Sequence, residues 1–225
     1  MELDIQENQI SYYPSKDNHN FIQRISSKKE FKNSIIKYPI SKNINDVFEV
    51  SKKLCNKENV ILLPQQEFLK NFISIAGQLN GKVIAGYNPL GSEVNCLEIL
   101  SYSLSKGALT SLPYVNDKKI IEFREWINGD ELRLDHSNIF APYKGKILIP
   151  DIILIPLLCF DKNGTRLGMG GGIYDRTLPF FHLSDKFGLA FSGQQASHIY
   201  KEEHDYPVDG VITEKGVINF KGKKI

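Results

Sequence analysis

The sequence is poor in cysteine and has none of the cysteine spacings that hold metals or form redox pairs. Its three cysteines are Cys55, Cys96 and Cys159, and no two of them form a CxxC motif. Cys159 lies in an apolar run, where a cysteine packs as a small hydrophobic side chain. The histidines lack the paired spacing of zinc ligands. We therefore expect a protein of a reducing compartment, with no catalytic thiol and no zinc site.

Long apolar runs and a strong net charge are also absent. The longest apolar stretch, Ile147 to Phe160, is interrupted by Pro150, Asp151 and Pro156 and is shorter than the roughly 18 residues of a membrane span. The amino terminus lacks the basic and apolar regions of a signal peptide. A net charge of +2 argues against the broad basic surface that is typical of nucleic-acid binding. These absences predict a cytoplasmic protein, expected as a monomer, that binds neither membranes nor nucleic acid.

Hydrophobic periodicity distinguishes two parts of the chain. Residues 21–80 carry apolar side chains at helical spacing, most clearly in residues 65–79, where the pattern ends at Asn80-Gly81. A further helix is predicted from Val94 to Ser105. Short apolar runs between turn residues predict strands. These predicted strands lie at residues 82–87, 108–115, 118–127, 150–160 and 187–192, with two more within 209–220.

The alternation of strands and helices predicts the fold class. Such a pattern indicates a three-layer α/β/α fold with a mostly parallel central sheet. The nearly continuous apolar run from Ile152 to Phe160 is typical of an interior strand covered on both faces. We predict a single domain over residues 21–225, preceded by an amino-terminal extension of residues 1–20.

The segment PLLCFDKNGTRLGMGGGIYDRTL, residues 156–178, carries most of the predicted chemistry. An apolar strand and a turn lead into a glycine-rich loop, and helix-compatible residues follow from Ile173. Glycines allow positive φ and let backbone N–H groups converge, so that the loop and the following helix predict a phosphate site. Arg166 before the loop and Arg176 after it can each pair with phosphate oxygens. The loop glycines are Gly168, Gly170, Gly171 and Gly172.

Glycine density alone has a simpler explanation, which is a tight surface turn. The loop is not a Walker A motif, because no Lys-Ser or Lys-Thr pair follows the glycines. It is not a Rossmann fingerprint, because more glycine follows Gly168-x-Gly170 and no ribose-binding acid stands at the expected distance. The arginine before the loop and the Tyr-Asp-Arg run after it favour the phosphate interpretation.

The segment RLGMGGGIYDRTL resembles the signature of the 5-formyltetrahydrofolate cyclo-ligase family, also called methenyltetrahydrofolate synthetases. That signature follows an apolar strand, Phe-Asp and a short turn, and reads Arg-Leu-Gly-aromatic-Gly-Gly-Gly-Tyr-Tyr-Asp-Arg. Residues 81–220 are similar to the family in the expected order, whereas residues 1–80 match poorly. The other similar segments are YNPLGSEVNCLEIL, KGALTSLPYV, FGLAFSGQQ and HDYPVDGVITEKGVINF.

The resemblance implies an ATP- and Mg²⁺-dependent enzyme of NagB/RpiA/CoA-transferase-like fold, with a reduced folate as its substrate. In the family reaction, ATP phosphorylates the formyl oxygen of 5-formyltetrahydrofolate. Nitrogen 10 then attacks the activated carbon, and loss of phosphate leaves 5,10-methenyltetrahydrofolate. Phosphoryl transfer depends chiefly on orientation and charge stabilisation.

The resemblance also implies roles for individual residues. Asp175 and Asp205 match carboxylates that hold Mg²⁺, with a helix cap and an exposed loop acid as the alternatives. Glu93 and, more loosely, Asn88 match residues that contact the folate. The alternative for Glu93 is a favourable electrostatic interaction with the amino terminus of the following helix. The catalytic candidates are Arg166 and Tyr174. The ATP-binding candidates are Arg166, Leu167, Gly168, Met169, Gly170, Gly171, Gly172, Ile173 and Tyr174.

The sequence departs from the family pattern at several positions. Ile173 replaces the first Tyr of Tyr-Tyr-Asp, and Met169 replaces an aromatic or basic residue. Both positions face the folate in the family, which makes them substrate-binding candidates as well. Ala141-Pro142 replaces Glu-Pro.

The Lys-x-x-x-Arg motif that clamps ATP in the family has its nearest counterpart in Lys28-x-x-x-Lys32. These lysines would lie one helical turn apart, and a solvated charged face is the alternative. A same-fold paralogue with another substrate would explain the departures from the family pattern. A non-catalytic nucleotide- or folate-binding protein is a third possibility, but it would not need both metal carboxylates.

Overall fold

The computed structural model describes residues 64–90 and 93–220. The predicted extension, the helices predicted before residue 64, Cys55 and the Lys28–Lys32 pair lie outside these residues. The predicted domain limits, residues 21 and 225, lie outside them too and stay predictions.

The described chain contains three α-helices, two 3₁₀ helices and eleven strands. The α-helices are α1 (Pro64–Ala76), α2 (Leu97–Ser105) and α3 (Ile173–Thr177), and the 3₁₀ helices are Leu178–Phe181 and Ser192–Gln194. The strands are β1 (Val83–Ala85), β2 (Leu109–Val115), β3 (Ile121–Glu125), β4 (Leu132–Leu134), β5 (Phe140–Pro142), β6 (Ile152–Pro156), β7 (Cys159–Phe160), β8 (Arg166–Leu167), β9 (Asp185–Leu189), β10 (Gly210–Thr213) and β11 (Gly216–Asn219).

Seven strands form the central sheet in the order β11-β10-β9-β6-β1-β2-β3. The five inner strands, from β10 to β2, run parallel to their neighbours. The two edge strands, β3 and β11, pair antiparallel with β2 and β10. The remaining strands form two short hairpins, β4–β5 and β7–β8. The predicted mostly parallel sheet is therefore confirmed.

Strand β6 lies at the centre of the sheet and connects two core clusters. Ile152 and Leu154 face the first cluster, which α1 and α2 cover. Ile153 and Ile155 face the second cluster, to which α3 and the following 3₁₀ helix contribute. All four side chains are almost fully buried, and burial of each contributes about 1.5–3 kcal/mol. The predicted interior strand is confirmed for residues 152–156.

The predicted strand does not continue to Phe160. The carbonyls of Leu157 and Leu158 accept hydrogen bonds from the side-chain Nε2 of Gln194, at 3.1 and 2.9 Å, instead of from a neighbouring strand. The chain then pairs antiparallel with β8 as strand β7. A distant glutamine, which periodicity cannot identify, therefore ends β6 and starts the hairpin that leads to the glycine loop.

The predicted helix limits were partly wrong. Helix α1 ends at Ala76 rather than at Asn80, because Gly77 has a φ of 63° and the Lys82 ammonium donates to the Ala76 carbonyl at 2.9 Å. Helix α2 begins at Leu97 rather than Val94. The Val94 carbonyl instead accepts the Tyr87 hydroxyl at 2.5 Å.

Cys96 and Cys159 are both free and buried, so the prediction that Cys159 packs in the interior is confirmed. Among the described residues, no helix is long and apolar enough to cross a membrane.

Candidate active site

A cavity of about 270 Å³ opens at the carboxyl ends of β1, β2 and β6. These strands are neighbours and run parallel, so the residues that follow them meet at one edge of the sheet. Asn88 follows β1, Val115 ends β2 and Leu157 follows β6. The other walls come from the β4–β5 hairpin, the glycine loop 168–172 and residues 202–205.

The glycine loop forms one wall and presents unpaired backbone donors. Gly170 and Gly172 have φ values of 96° and 61°, which residues with a side chain rarely adopt. Within residues 64–90 and 93–220, the N–H groups of Gly170, Gly171, Gly172 and Ile173 have no acceptor. A run of unpaired N–H groups at the edge of a cavity suits an anion such as phosphate.

Arg166 places a fixed positive charge beside this loop. Its side chain is only 5% exposed, yet it lines the cavity. Nη2 donates to Oδ1 of Asp175 at 2.8 Å, and Nη1 donates to the carbonyl of Tyr206. Because charge-assisted bonds of this kind fix the guanidinium plane, Arg166 offers a preorganised cation to a ligand in the cavity.

Asp175 lies in the first turn of α3, and its carboxylate is held from two sides. Oδ1 accepts a hydrogen bond from the guanidinium of Arg166 and another, at 3.1 Å, from the backbone N–H of Tyr206. Both bonds use Oδ1, so Oδ2 is the oxygen that a cation would bind. The pairing of Asp175 with Arg166 was not predicted from the sequence.

Asp205 belongs to a small cluster of possible metal ligands. The ligand atoms of Glu202, His204 and Asp205 all lie within 4.8 Å of one another. Oδ2 of Asp205 accepts the N–H of Glu202 at 2.7 Å, and Nε2 of His204 is 3.2 Å from the Glu202 carboxylate. Carboxylate oxygens are the ligands that Mg²⁺ prefers, so Asp175 and Asp205 each offer suitable donor atoms, although among the described residues the cluster itself does not include Asp175.

Glu93 also lines the cavity and lies between β1 and α2. Burial raises the pKa of Glu93 from its ordinary value to about 7, although a hydrogen bond from the Leu90 N–H favours the ionised form. That bond reaches Oε2 at 2.9 Å. A carboxyl group with this pKa can accept or donate hydrogen bonds near neutral pH.

The other predicted contact residues differ in what they offer a ligand. The side-chain amide of Asn88 donates to the carbonyl of Phe140 at 3.1 Å and so ties the end of β1 to the hairpin. Met169 is 71% exposed, and Ile173 packs beside the second core cluster. Leu167 lines the cavity, and its side chain is buried in a small core cluster.

Tyr174 lines the cavity with a buried hydroxyl that has no hydrogen-bond partner among the described residues. Burial raises the pKa of Tyr174, and nearby Glu93 raises it further. The phenol therefore stays protonated at neutral pH and can donate a hydrogen bond but cannot act as a base. A catalytic role for Tyr174 stays a prediction.

The structure brings all of the described site candidates to one cavity, and Lys28 and Lys32 lie outside the described residues. Sequence reasoning missed the wall that the β4–β5 hairpin forms. Asp135 fixes this hairpin, because its carboxylate accepts the N–H groups of Val115 at 2.9 Å and Ser137 at 2.7 Å. The segment DHSN, residues 135–138, is a turn signal that could have located the hairpin, although not its position beside the loop.

The fold and the cavity define the class of protein. This is an α/β protein with a ligand cavity at the carboxyl edge of a parallel sheet, which is the usual place for small-molecule sites in such folds. The model of the 5-formyltetrahydrofolate cyclo-ligase family matches residues 64–214. The chain belongs to this family.

Individual relatives agree with this assignment. The 5-formyltetrahydrofolate cyclo-ligase of Haemophilus influenzae is 27% identical over 157 residues, which cover 66% of this chain and 84% of that protein. The mouse (Mus musculus) enzyme of the same name is 30% identical over 151 residues, which cover 60% and 74%. The solved structure of Aquifex aeolicus 5,10-methenyltetrahydrofolate synthetase has a TM-score of 0.67 at 24% identity and covers 88% of this chain and 95% of that one. This last similarity supports the fold.

Proposed function

We propose that the protein converts 5-formyltetrahydrofolate to 5,10-methenyltetrahydrofolate, using ATP and Mg²⁺ and releasing ADP and phosphate. The observation that carries the proposal is the single cavity that joins three chemically different parts. These parts are the loop of unpaired N–H groups with Arg166, the carboxylates of Asp175 and Asp205, and the buried carboxyl of Glu93. The membership of the family supports this reaction for the cavity.

The loop end of the cavity suits the nucleotide. The N–H groups of Gly170 to Ile173 and the guanidinium of Arg166 would bind the β- and γ-phosphates. The γ-phosphoryl group passes to the formyl oxygen of the folate, and ADP leaves. Arg166 stabilises the negative charge on the transferred group, because it stays protonated at any working pH.

The carboxylates beside the loop would hold the metal. Oδ2 of Asp175 and the carboxylate of Asp205 are the protein ligands for Mg²⁺, which usually binds one or two carboxylates together with phosphate oxygens and water. When bound, the ion neutralises phosphate charge. The salt bridge to Arg166 keeps Asp175 in place for this role.

The part of the cavity around Glu93 suits the folate. The pterin ring presents N–H donors, which a carboxylate oxygen of Glu93 accepts, and Asn88 lies on the same side. Apolar residues form the wall against which a flat ring can pack, namely Val115, Ile121, Ile139 and Phe140. After phosphoryl transfer, nitrogen 10 bonds to the formyl carbon and loses its proton to water or phosphate, the carbon–oxygen bond breaks, and phosphate leaves as the ring closes.

A paralogue with another substrate is the second candidate, and specific residues bear on it. Ala141 is buried and does not line the cavity, so its difference from the family pattern does not change a ligand contact. Met169 and Ile173 do line the cavity and are the departures that would alter substrate choice. A non-catalytic binding protein is the third candidate.

The decisive experiment follows the absorbance of the methenyl product in the purified full-length protein. We expect product only when 5-formyltetrahydrofolate, ATP and Mg²⁺ are all present, and reactions that omit one component are the controls. Binding of both ADP and the folate without any product would indicate the binding protein. The absence of both product and folate binding, with ADP binding retained, would indicate the paralogue.

Three predictions about the whole protein accompany this proposal. We propose a cytoplasmic monomer that binds neither nucleic acid nor membranes. Light scattering of the purified protein across a range of concentrations tests the monomer, and a mass that doubles with concentration would contradict it.

A further inference from the structure

Arg176 contacts the glycine loop from outside the cavity. Its Nη2 donates to the carbonyl of Gly171 at 2.9 Å, and its Nε donates to the carbonyl of Lys119 at 3.4 Å. The backbone N–H of Arg176 also donates to the carbonyl of Gly172 at 3.0 Å. One residue therefore holds two successive carbonyls of the loop, although it does not line the cavity itself.

These contacts fix the direction of the loop N–H groups. In a planar trans peptide, the N–H of one residue points opposite to the C=O of the residue before it. A Gly171 carbonyl held by Arg176 directs the Gly172 N–H away from Arg176, and a held Gly172 carbonyl does the same for the Ile173 N–H. Gly171, Gly172 and Ile173 line the cavity, and neither of these N–H groups has an acceptor among the described residues.

We infer that Arg176 is a positioning residue whose side chain aims the N–H group of Gly172 at a phosphate group of the nucleotide, next to the Ile173 N–H that the helix backbone itself directs. The inference rests on the proposed function and deepens it. Arg166 acts from inside the cavity through its charge, whereas Arg176 acts from outside through the loop backbone.

The absence of a side chain at Gly172 agrees with this role on two grounds. Its φ of 61° is a left-handed conformation that favours glycine. A Cβ at this position would also lie 3.0 Å from Nη1 of Arg176, which would push the guanidinium away from the loop. Glycine at 172 therefore avoids both a strained backbone and a displacement of the Arg176 guanidinium.

The sheet supports Arg176 from the other side. Lys119 lies in the turn between β2 and β3, and its carbonyl accepts the Nε of Arg176. Next to Arg176, the hydroxyl of Thr177 accepts the N–H of Ile121 at 3.0 Å, which ties α3 to the start of β3. Arg176 is thus supported by the turn before β3, and the helix that carries it is tied to the first residue of β3.

The test compares Arg176→Met, which keeps the aliphatic stem and removes the donors, with Arg176→Lys. Calorimetry with Mg²⁺ measures the affinity for ADP and for adenosine, which has no phosphate. We expect Arg176→Met to weaken ADP binding about tenfold, equal to about 1.4 kcal/mol, and to leave adenosine binding unchanged. The KM for ATP should rise, while the KM for the folate stays the same.

The lysine variant and a distant control separate positioning from charge and from stability. Arg176→Lys should restore part of the ADP affinity. An ammonium can reach one carbonyl, but it lacks the guanidinium fork that bonds the carbonyls of Gly171 and Lys119 together. Lys70→Met removes an exposed cation from α1 and should bind ADP like wild type. Full restoration by lysine would show that charge alone matters and would overturn the inference.

The remaining outcomes also decide the matter. Normal ADP binding by Arg176→Met overturns the inference and leaves the proposed function intact. Equal weakening of ADP and adenosine, together with a lower melting temperature, shows a merely structural role and overturns it too. If wild type neither binds ADP nor forms the methenyl product, the proposed function fails and the inference fails with it.

Discussion

The glycine loop and Glu93 control charge in the cavity in different ways. At the loop, the positive potential comes from backbone N–H groups and from Arg166, whose hydrogen bonds to Asp175 and Tyr206 fix its position. At Glu93, burial brings the pKa of a carboxyl group to about 7. Backbone N–H groups do not titrate, whereas the Glu93 carboxyl changes its charge near neutral pH. Substitutions at the loop and at Glu93 should therefore affect different kinetic constants.

Arg166→Ala should have the largest effect. Loss of a preorganised charge contact in a phosphate site costs on the order of 3 to 4 kcal/mol in the transition state, so turnover should fall about 100-fold or more. Loss of one partner of the salt bridge should also lower the free energy of unfolding, by about 3 kcal/mol. Arg166→Lys should recover only part of the activity. Steady-state kinetics and chemical denaturation measure the two effects.

A matched control for Arg166 is available in Arg133. This arginine is 51% exposed, pairs with Glu131 and does not line the cavity. Because an exposed ion pair is screened by solvent and adds little to stability, Arg133→Ala should change neither turnover nor stability much. If Arg166→Ala behaved like Arg133→Ala, the loop end would not be the phosphate site.

Asp175→Ala should have the next largest effect, on turnover and on stability together. Asp175 is half-buried in the structure. Its carboxylate is only 20% exposed and accepts hydrogen bonds from the guanidinium of Arg166 and from the backbone N–H of Tyr206. Its loss should lower stability by about 1–3 kcal/mol and turnover by about 30-fold.

Asp205→Ala is the comparison for Asp175→Ala, since Asp205 lies in a more exposed segment. It should raise the Mg²⁺ concentration needed for half-maximal activity, with a stability change of about 0.5 kcal/mol. A magnesium titration of activity tests both variants. An unchanged magnesium requirement in either variant would remove that residue from the proposed metal site.

Glu93→Gln should raise the KM for the folate about tenfold and leave the KM for ATP unchanged. It should also remove a dependence of stability on pH. Because the folded pKa of about 7 lies above the ordinary 4.5, the contribution of Glu93 to stability is fully present below pH 4.5. It is lost as the pH rises through about 7, by at most about 3 kcal/mol.

Thermal or chemical unfolding across this pH range tests the assignment of Glu93. The stability of the glutamine variant should not fall between pH 4.5 and 7. At pH 8 the variant should therefore be more stable than wild type. Glu98→Gln, which changes an exposed carboxylate on α2, is the matched control and should keep the wild-type profile. Identical profiles for wild type and Glu93→Gln would show that burial does not control this carboxyl.

Ile173→Tyr should have the smallest effect, and it bears on substrate choice. An aromatic ring at this position would pack on the pterin, so the KM for the folate should fall, by less than about fivefold. Ile173→Leu, which conserves volume, should leave the KM unchanged. A rise in the KM for the folate of Ile173→Tyr would place the pterin elsewhere and strengthen the paralogue interpretation.

Local patterns predicted most of the strands and the loop. Strand β2 and the two closing strands β10 and β11 lie within the predicted segments, because their apolar runs are bounded by turn residues and each strand depends on its own sequence. The predicted helix limits were wrong where a side chain from another part of the chain determines where the helix begins or ends. Lys82 caps the carboxyl end of α1, and the Tyr87 hydroxyl occupies the Val94 carbonyl before α2.

The sequence by itself determined the glycine loop, the arginines on either side of it and the interior strand β6. Those features depend on residue type at short spacing, because positive φ requires glycine and a strand buried on both faces requires an unbroken apolar run. Tertiary structure alone decided which arginine enters the cavity. It buried Arg166 against Asp175, left Arg176 behind the loop, and brought the β4–β5 hairpin and Glu93 to the same cavity. Side-chain direction and burial depend on residues far apart in the chain, so no local pattern contains them.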